Sequence, residues 1–170
     1  MRSILKVFIP VLVGVSLVLA WRQMFPSEET QIQRQLSRLE SLLSRSGQEN
    51  VLERAASARA LGQVLHPDIK LKFQHATGDY ELNGLSSLQE AYLQTQMRVP
   101  EFELSIRDLL TNIAESRTEA ESRFTAIVRG RSQQGRQDFR EASEFRVEWI
   151  KLDGDWRISF FENVEALQFQ

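Results

Sequence analysis

The decapeptide WIKLDGDWRI, residues 149–158, sets the architecture of this chain. Asp153-Gly154 supplies two residues that tolerate positive φ, and alternating apolar side chains flank them, which predicts a tight antiparallel hairpin. Phe145, Val147 and Trp149 share one face of the first arm, and Trp156, Ile158 and Phe160 share one face of the second. Reading outward, the arms extend over residues 137–152 and 156–167. Two more alternating segments precede them, at 101–113 with Phe102, Leu104, Ile106 and Leu110 aligned, and at 119–131 with Phe124, Ala126 and Val128 aligned. Period-two alternation over such lengths predicts strands with one face on a core.

The first half of the chain reads differently. Ser27 with Glu28 and Glu29 opens a helix, and Ile32, Leu36, Leu39, Leu42 and Leu43 form one apolar stripe that ends near Ser46-Gly47. Asn50 and Glu53 form a capping box for a second helix over residues 51–65, which His66-Pro67-Asp68 terminates. A half-buried strand at 69–73 and a short one at 80–82 follow, separated by Gly78-Asp79. Ser87 with Glu90 is then expected to cap a third helix ending before Pro100. Helices first and antiparallel hairpins last predict an α+β domain with helices on one face of the sheet.

That order, and three stretches of residues, resemble the nuclear transport factor 2-like superfamily, with its SnoaL-like and ketosteroid-isomerase-like branches. The stretches are Leu65-His66-Pro67-Asp68-Ile69, Asn83-Gly84-Leu85-Ser86-Ser87-Leu88 and the hairpin at 149–158. The resemblance covers residues 28–168. It implies a cystatin-like cone, three helices under a curved, mostly antiparallel sheet, with a pocket at the open end. The implied pocket wall contains Phe73, Tyr92, Phe102, Leu104, Ile106, Asp108, Trp149 and Ile158. The broad sheet also offers a surface for a homodimer.

The superfamily hosts both enzymes and inert binders, so the fold leaves activity open. The isomerase-like pattern places a carboxylate base where this chain has Phe73, and a phenolic donor on the first helix, where it has no tyrosine. Base and oxyanion donor are both needed for that chemistry. Two carboxylates are the remaining catalytic candidates. Asp108 shares parity with Leu104 and Ile106, and Glu162 shares parity with Trp156 and Ile158; a bulge near either would turn it to solvent. His66 at a helix end and His75 in a loop show no zinc spacing, and there is no cysteine, so no metal site and no cofactor is expected. The leading expectation is a non-catalytic domain that binds a partner protein or a small apolar ligand. The alternative is a SnoaL-like isomerase, dehydratase or hydrolase using a pocket carboxylate.

Residues 1–26 form a separate unit ahead of the domain at 27–170. From Val7 to Trp21 no charge interrupts an apolar run, and residues 4–21 are read as a membrane anchor with Trp21 at its interface. Arg2 and Lys6 on the short N-terminal side predict a cytoplasmic N-terminus and a domain on the far side of a bacterial inner membrane. A secretory signal cleaved after Ala20 is the competing reading, and it sends the domain across the membrane as well. The net charge is −2, and Arg2, Lys6 and Arg22 face no acid in the leader, which leaves the domain at about −5. A mildly acidic domain lacks the basic field that releases counterions from phosphate, so nucleic acid is not an expected partner.

Overall fold

Ser27 starts the first helix, α1 (Glu28–Leu43), by accepting a hydrogen bond from the Thr30 N–H at 3.3 Å. The computed structural model describes residues 26–47, 49–75, 78–131 and 138–167. Ile32, Leu36 and Leu39 of α1 are buried, the face that the apolar stripe requires. The chain then makes a two-residue strand, β1 (Arg45–Ser46), and the second helix, α2 (Val51–Ala60). The Asn50/Glu53 capping box closes both ways at 2.9 Å. A 3₁₀ turn (Leu61–Gln63), β2 (Leu65–His75), β3 (Gly78–Asn83) and the third helix, α3 (Leu85–Arg98), complete the first half.

The second half is β4 (Glu101–Ile113), β5 (Glu119–Arg131), β6 (Asp138–Leu152) and β7 (Asp155–Leu167). The seven strands form one sheet in the order β1-β4-β5-β6-β7-β2-β3. β2 pairs parallel with β7, and every other pairing is antiparallel. The three helices lie on one face of this curved sheet. Asp153 and Gly154 both take positive φ (53° and 89°) and join Leu152 to Asp155 as a two-residue hairpin turn.

The core condenses around that hairpin. Trp149 and Trp156 are each 1% exposed and pack with Ile32, Val64 and Ile158. The Trp149 indole N–H donates to the Ser122 hydroxyl at 2.9 Å, and Ser122 pairs with the Thr111 hydroxyl at 2.9 Å. Glu28, at the first turn of α1, accepts from Lys151 Nζ at 2.8 Å and from the Trp156 indole at 2.7 Å. That cluster seals one end of the cone to the start of α1.

Several expectations need correcting. The second helix stops at Ala60, not Leu65. β7 takes the backbone beyond it: Ile158 N–H donates to the Val64 carbonyl at 2.9 Å, Arg157 bonds the Gly62 carbonyl, and Leu65 already pairs with Ile158. The third helix starts at Leu85, with Gly84 as its N-cap, so Ser87 does not cap it. Gly84 sits at φ +84° and ties its N–H to the Ile69 carbonyl at 2.8 Å, a backbone geometry that favours glycine.

Two bulges change which side chains face the core. In β4, Asp108 and Leu109 together oppose the single residue Phe124, and Asp108 takes φ +54°. Beyond that bulge Leu109 packs on the core while Leu110 is 71% exposed, the reverse of the expected alternation. In β7, Ser159 is the extra residue between the Trp149–Ile158 and Glu148–Phe160 pairs. Phe161 therefore packs on the core in place of Phe160. The proposed anchor at residues 4–21 lies outside the described residues. Among the described residues no helix is long and apolar enough to cross a membrane.

Candidate functional site

The concave side of the sheet and the helices enclose a cavity of about 400 Å³, at the small end of the roughly 300–1,000 Å³ of small-molecule sites. β4 and β5 present Leu104, Ile106, Ala126 and Val128 to it, because alternate residues of a strand share a face. β2, β6 and β7 add Phe73, Phe145 and Phe161. The Phe145 and Phe161 rings lie 4.8 Å apart, and Phe73 meets Phe145 edge-on at 6.3 Å, so the back wall is an aromatic cluster. From the helical side come Leu39, Leu88 and Tyr92. Tyr80 of β3 and Thr95 of α3 line the cavity yet are exposed, which places the mouth between those two elements.

Polar groups in the wall are few. Among the described lining residues none is Asp, Glu or His, and Arg45 is the one charged residue. The Tyr92 hydroxyl donates to the Leu42 carbonyl at 2.7 Å, which satisfies an orphan acceptor at the end of α1. Burial pushes the Tyr92 phenol above its ordinary value of 10.0, so it stays a neutral donor at physiological pH. Arg45 donates through Nε and Nη2 to the Val99 carbonyl at 3.0 and 2.9 Å. Its guanidinium stands 5.3 Å from the Phe102 ring centroid and 5.8 Å from that of Tyr92.

The residues read from sequence divide into two groups. Phe73, Tyr92, Phe102, Leu104 and Ile106 come together in the cavity wall. Trp149 and Ile158 do not line it; they are wholly buried at the sealed end, where the hairpin meets α1 and the 3₁₀ turn. Asp108 and Glu162 are not in the wall either. The β4 bulge exposes Asp108. The β7 bulge puts Glu162 on the outer face of the sheet, where it pairs with Arg146, which also reaches Glu121 and Glu148. His66 closes a local turn by accepting from the Asp68 N–H at 3.1 Å. Arg45 was not legible as a site residue, because a lone arginine after a helix carries no motif. Its only signal was its place between the end of the apolar stripe and Gly47.

The fold is α+β and cystatin-like, three helices on a curved mixed sheet. No protein-family model and no curated protein matches the chain by sequence. Solved structures match it in shape. A nuclear transport factor 2-like superfamily protein from Salmonella enterica aligns over 85% of this chain and 96% of its own, at 14% identity and a TM-score of 0.63. An uncharacterised protein with a cystatin-like fold from Caulobacter vibrioides aligns over 82% and 89%, at 13% identity and 0.61. The hexachlorocyclohexane dehydrochlorinase LinA-type3 from Novosphingobium barchaimii aligns over 84% and 88%, at 15% identity and 0.63. Likeness at such identity speaks for the fold alone, and this fold carries both enzymes and uncharacterised members.

Proposed function

We propose that the domain is a non-catalytic binding module that holds a small apolar ligand inside the cone, tethered to the outer face of a membrane by residues 4–21. The observation that carries the proposal is the composition of the cavity wall. It is aliphatic and aromatic, and Phe73 lines it, at the position where the resemblance to isomerase-like domains implies a base. Burying an apolar molecule there gains about 25 cal/mol per Å² removed from water. Proton abstraction needs a base within hydrogen-bond reach of the substrate, and neither Asp108 nor Glu162 lines the space a substrate would fill.

Tethering has a geometric consequence in this reading. α1 runs from the sealed end, at Glu28, to the mouth region, at Leu43, two residues before Arg45 of β1. Its sixteen residues span about 24 Å at 1.5 Å per residue. An anchor that precedes Pro26 would hold the sealed end against the bilayer and turn the mouth away from it. The ligand would then enter from the aqueous side.

The test is titration of the full-length protein, in phospholipid nanodiscs, with the uncharged fluorophore N-phenyl-1-naphthylamine. Saturable emission that Ala91→Trp abolishes is the expected result, since Ala91 lines the cavity. Emission unaffected by Ala91→Trp would refute the reading, as would turnover of a cyclic enone or hydroxy-ketone. Carbonate extraction tests the anchor, and release of a soluble form starting at Trp21 would replace it with a cleaved signal.

A further inference from the structure

We infer that the cavity takes a single-chain amphiphile with a carboxylate head, a medium-chain fatty acid or a molecule of that shape, and that Arg45 selects the head. The inference rests on the binding reading above and adds the chemical class of its ligand. An apolar cavity alone would reject an ionised head, because burying an unpaired charge is costly. This wall can accept one, because its one charge among the described residues is a cation.

Arg45 is held in place without being neutralised by direct contact. The Val99 carbonyl takes Nε and one Nη, and the Phe102 and Tyr92 rings flank the guanidinium. Among the described residues no carboxylate comes within 4.0 Å of it, whereas Arg129, Arg131 and Arg146 of the sheet are all ion-paired. The Glu49 carboxylate favours the Arg45 charge from beyond that range and Arg54 opposes it. Burial is the main cause that lowers the guanidinium's pKa, yet arginine stays charged in proteins. A partly desolvated guanidinium with N–H groups to spare is the donor that a carboxylate matches, because charge-assisted bonds are about twice as strong as neutral ones.

The position of Arg45 fits that role. It follows the end of α1 and pairs with Phe102 at the start of β4, so it stands at the same end of the cone as the exposed lining residues Tyr80 and Thr95. A carboxylate bonded there keeps access to water, and the alkyl chain extends from it over Leu43, Leu104 and Val128 towards the aromatic back wall. The cavity volume of about 400 Å³ suits one such chain rather than a two-chain phospholipid, since pockets of drug-sized ligands begin at roughly 300 Å³.

The experiment compares two photoreactive probes of equal length, a diazirine-bearing decanoic acid and the matching decanol, on the full-length protein in nanodiscs. Saturable labelling is read by mass spectrometry at equal free probe concentration. The acid should label with about tenfold or greater preference, as expected for one charge-assisted hydrogen bond. Arg45→Met should bring the two probes within about twofold while retaining decanol labelling, which also reports an intact cavity. Equal labelling by both probes in the wild type, lost in Ala91→Trp, would overturn the role of Arg45 and leave the apolar cavity standing. Absence of saturable labelling by either probe would overturn both. Should Arg45→Met lose decanol as well, Arg45→Lys decides. A lysine variant that labels with decanol and keeps a reduced preference for the acid is expected, because an ammonium still forms a charge-assisted bond but lacks the planar fork; loss of decanol there too would make Arg45 structural and overturn the assignment.

Discussion

Replacing Glu28 by alanine should detach the first helix from the final hairpin, and the size of the effect can be worked from three bonds. Glu28 receives two bonds from Lys151 Nζ, at 2.8 and 2.9 Å, and one from the Trp156 indole at 2.7 Å. Trp156 is 1% exposed in the intact protein, so losing the acceptor of its buried indole N–H would cost about 1–3 kcal/mol. The Lys151 and Glu28 side chains are 22% and 24% exposed, and removing one partner of a well-buried pair costs about 3–5 kcal/mol. Lys151 can still turn part of its ammonium to water, which argues for the lower end. Glu28→Ala should therefore destabilise by about 3 kcal/mol, a large share of the 5–15 kcal/mol that holds a domain together. Glu28→Gln keeps an acceptor for the indole and loses the charge, and should cost about half as much.

The pH dependence separates charge from shape. The Lys151 bond, aided by Trp156, holds the Glu28 carboxyl below its ordinary value of 4.5 in the folded protein. The unfolded chain then binds the proton more readily, so the stabilisation is complete above 4.5 and is lost as pH falls through the folded value. Urea unfolding followed by tryptophan fluorescence should show a gap between wild type and Glu28→Gln at about pH 7 that narrows by about pH 3. Equal gaps at the two pH values, or a Glu28→Ala cost below about 1 kcal/mol, would refute the assignment of this cluster as the clasp between α1 and β7.

Trp149→Ala should cost about 3–5 kcal/mol in the same assay, because it empties a fully buried site and removes the indole donor of Ser122, which keeps only its bond with Thr111. Asp108→Asn should leave stability within about 0.5 kcal/mol, and Asp108→Gly should raise it slightly by relieving φ +54° at an exposed bulge. Thermal melting of the pair checks that, and a large loss in the asparagine variant would contradict the exposed placement. Gln96 is 2% exposed, its amide oxygen has no partner and its amide group approaches only the Tyr92 hydroxyl, so Gln96→Met should stabilise by up to about 1 kcal/mol, raising the melting temperature.

Local chemistry alone determined much of this domain. The Asp153-Gly154 turn, the Asn50/Glu53 box, the Ser27 cap and the alternation through 102–106 and 124–128 were all legible, because each depends on residues within a few positions of one another. Alternation put Phe102, Leu104 and Ile106 on one strand face, and the family resemblance implied that they and Phe73 line a pocket. Three things waited on tertiary structure. The bulges at Asp108 and Ser159 reverse parity because the curved sheet must admit an extra residue, and nothing adjacent in sequence announces where. The early end of α2 is imposed by Arg157 and Ile158, about a hundred residues away along the chain. Arg45 became part of the cavity wall only when β1 joined the edge of β4 and set it between Tyr92 and Phe102. Short-range rules fix which residues can be helix, turn or strand, whereas the position of a single charge inside a cavity is a sum over long-range pairings that no local window contains.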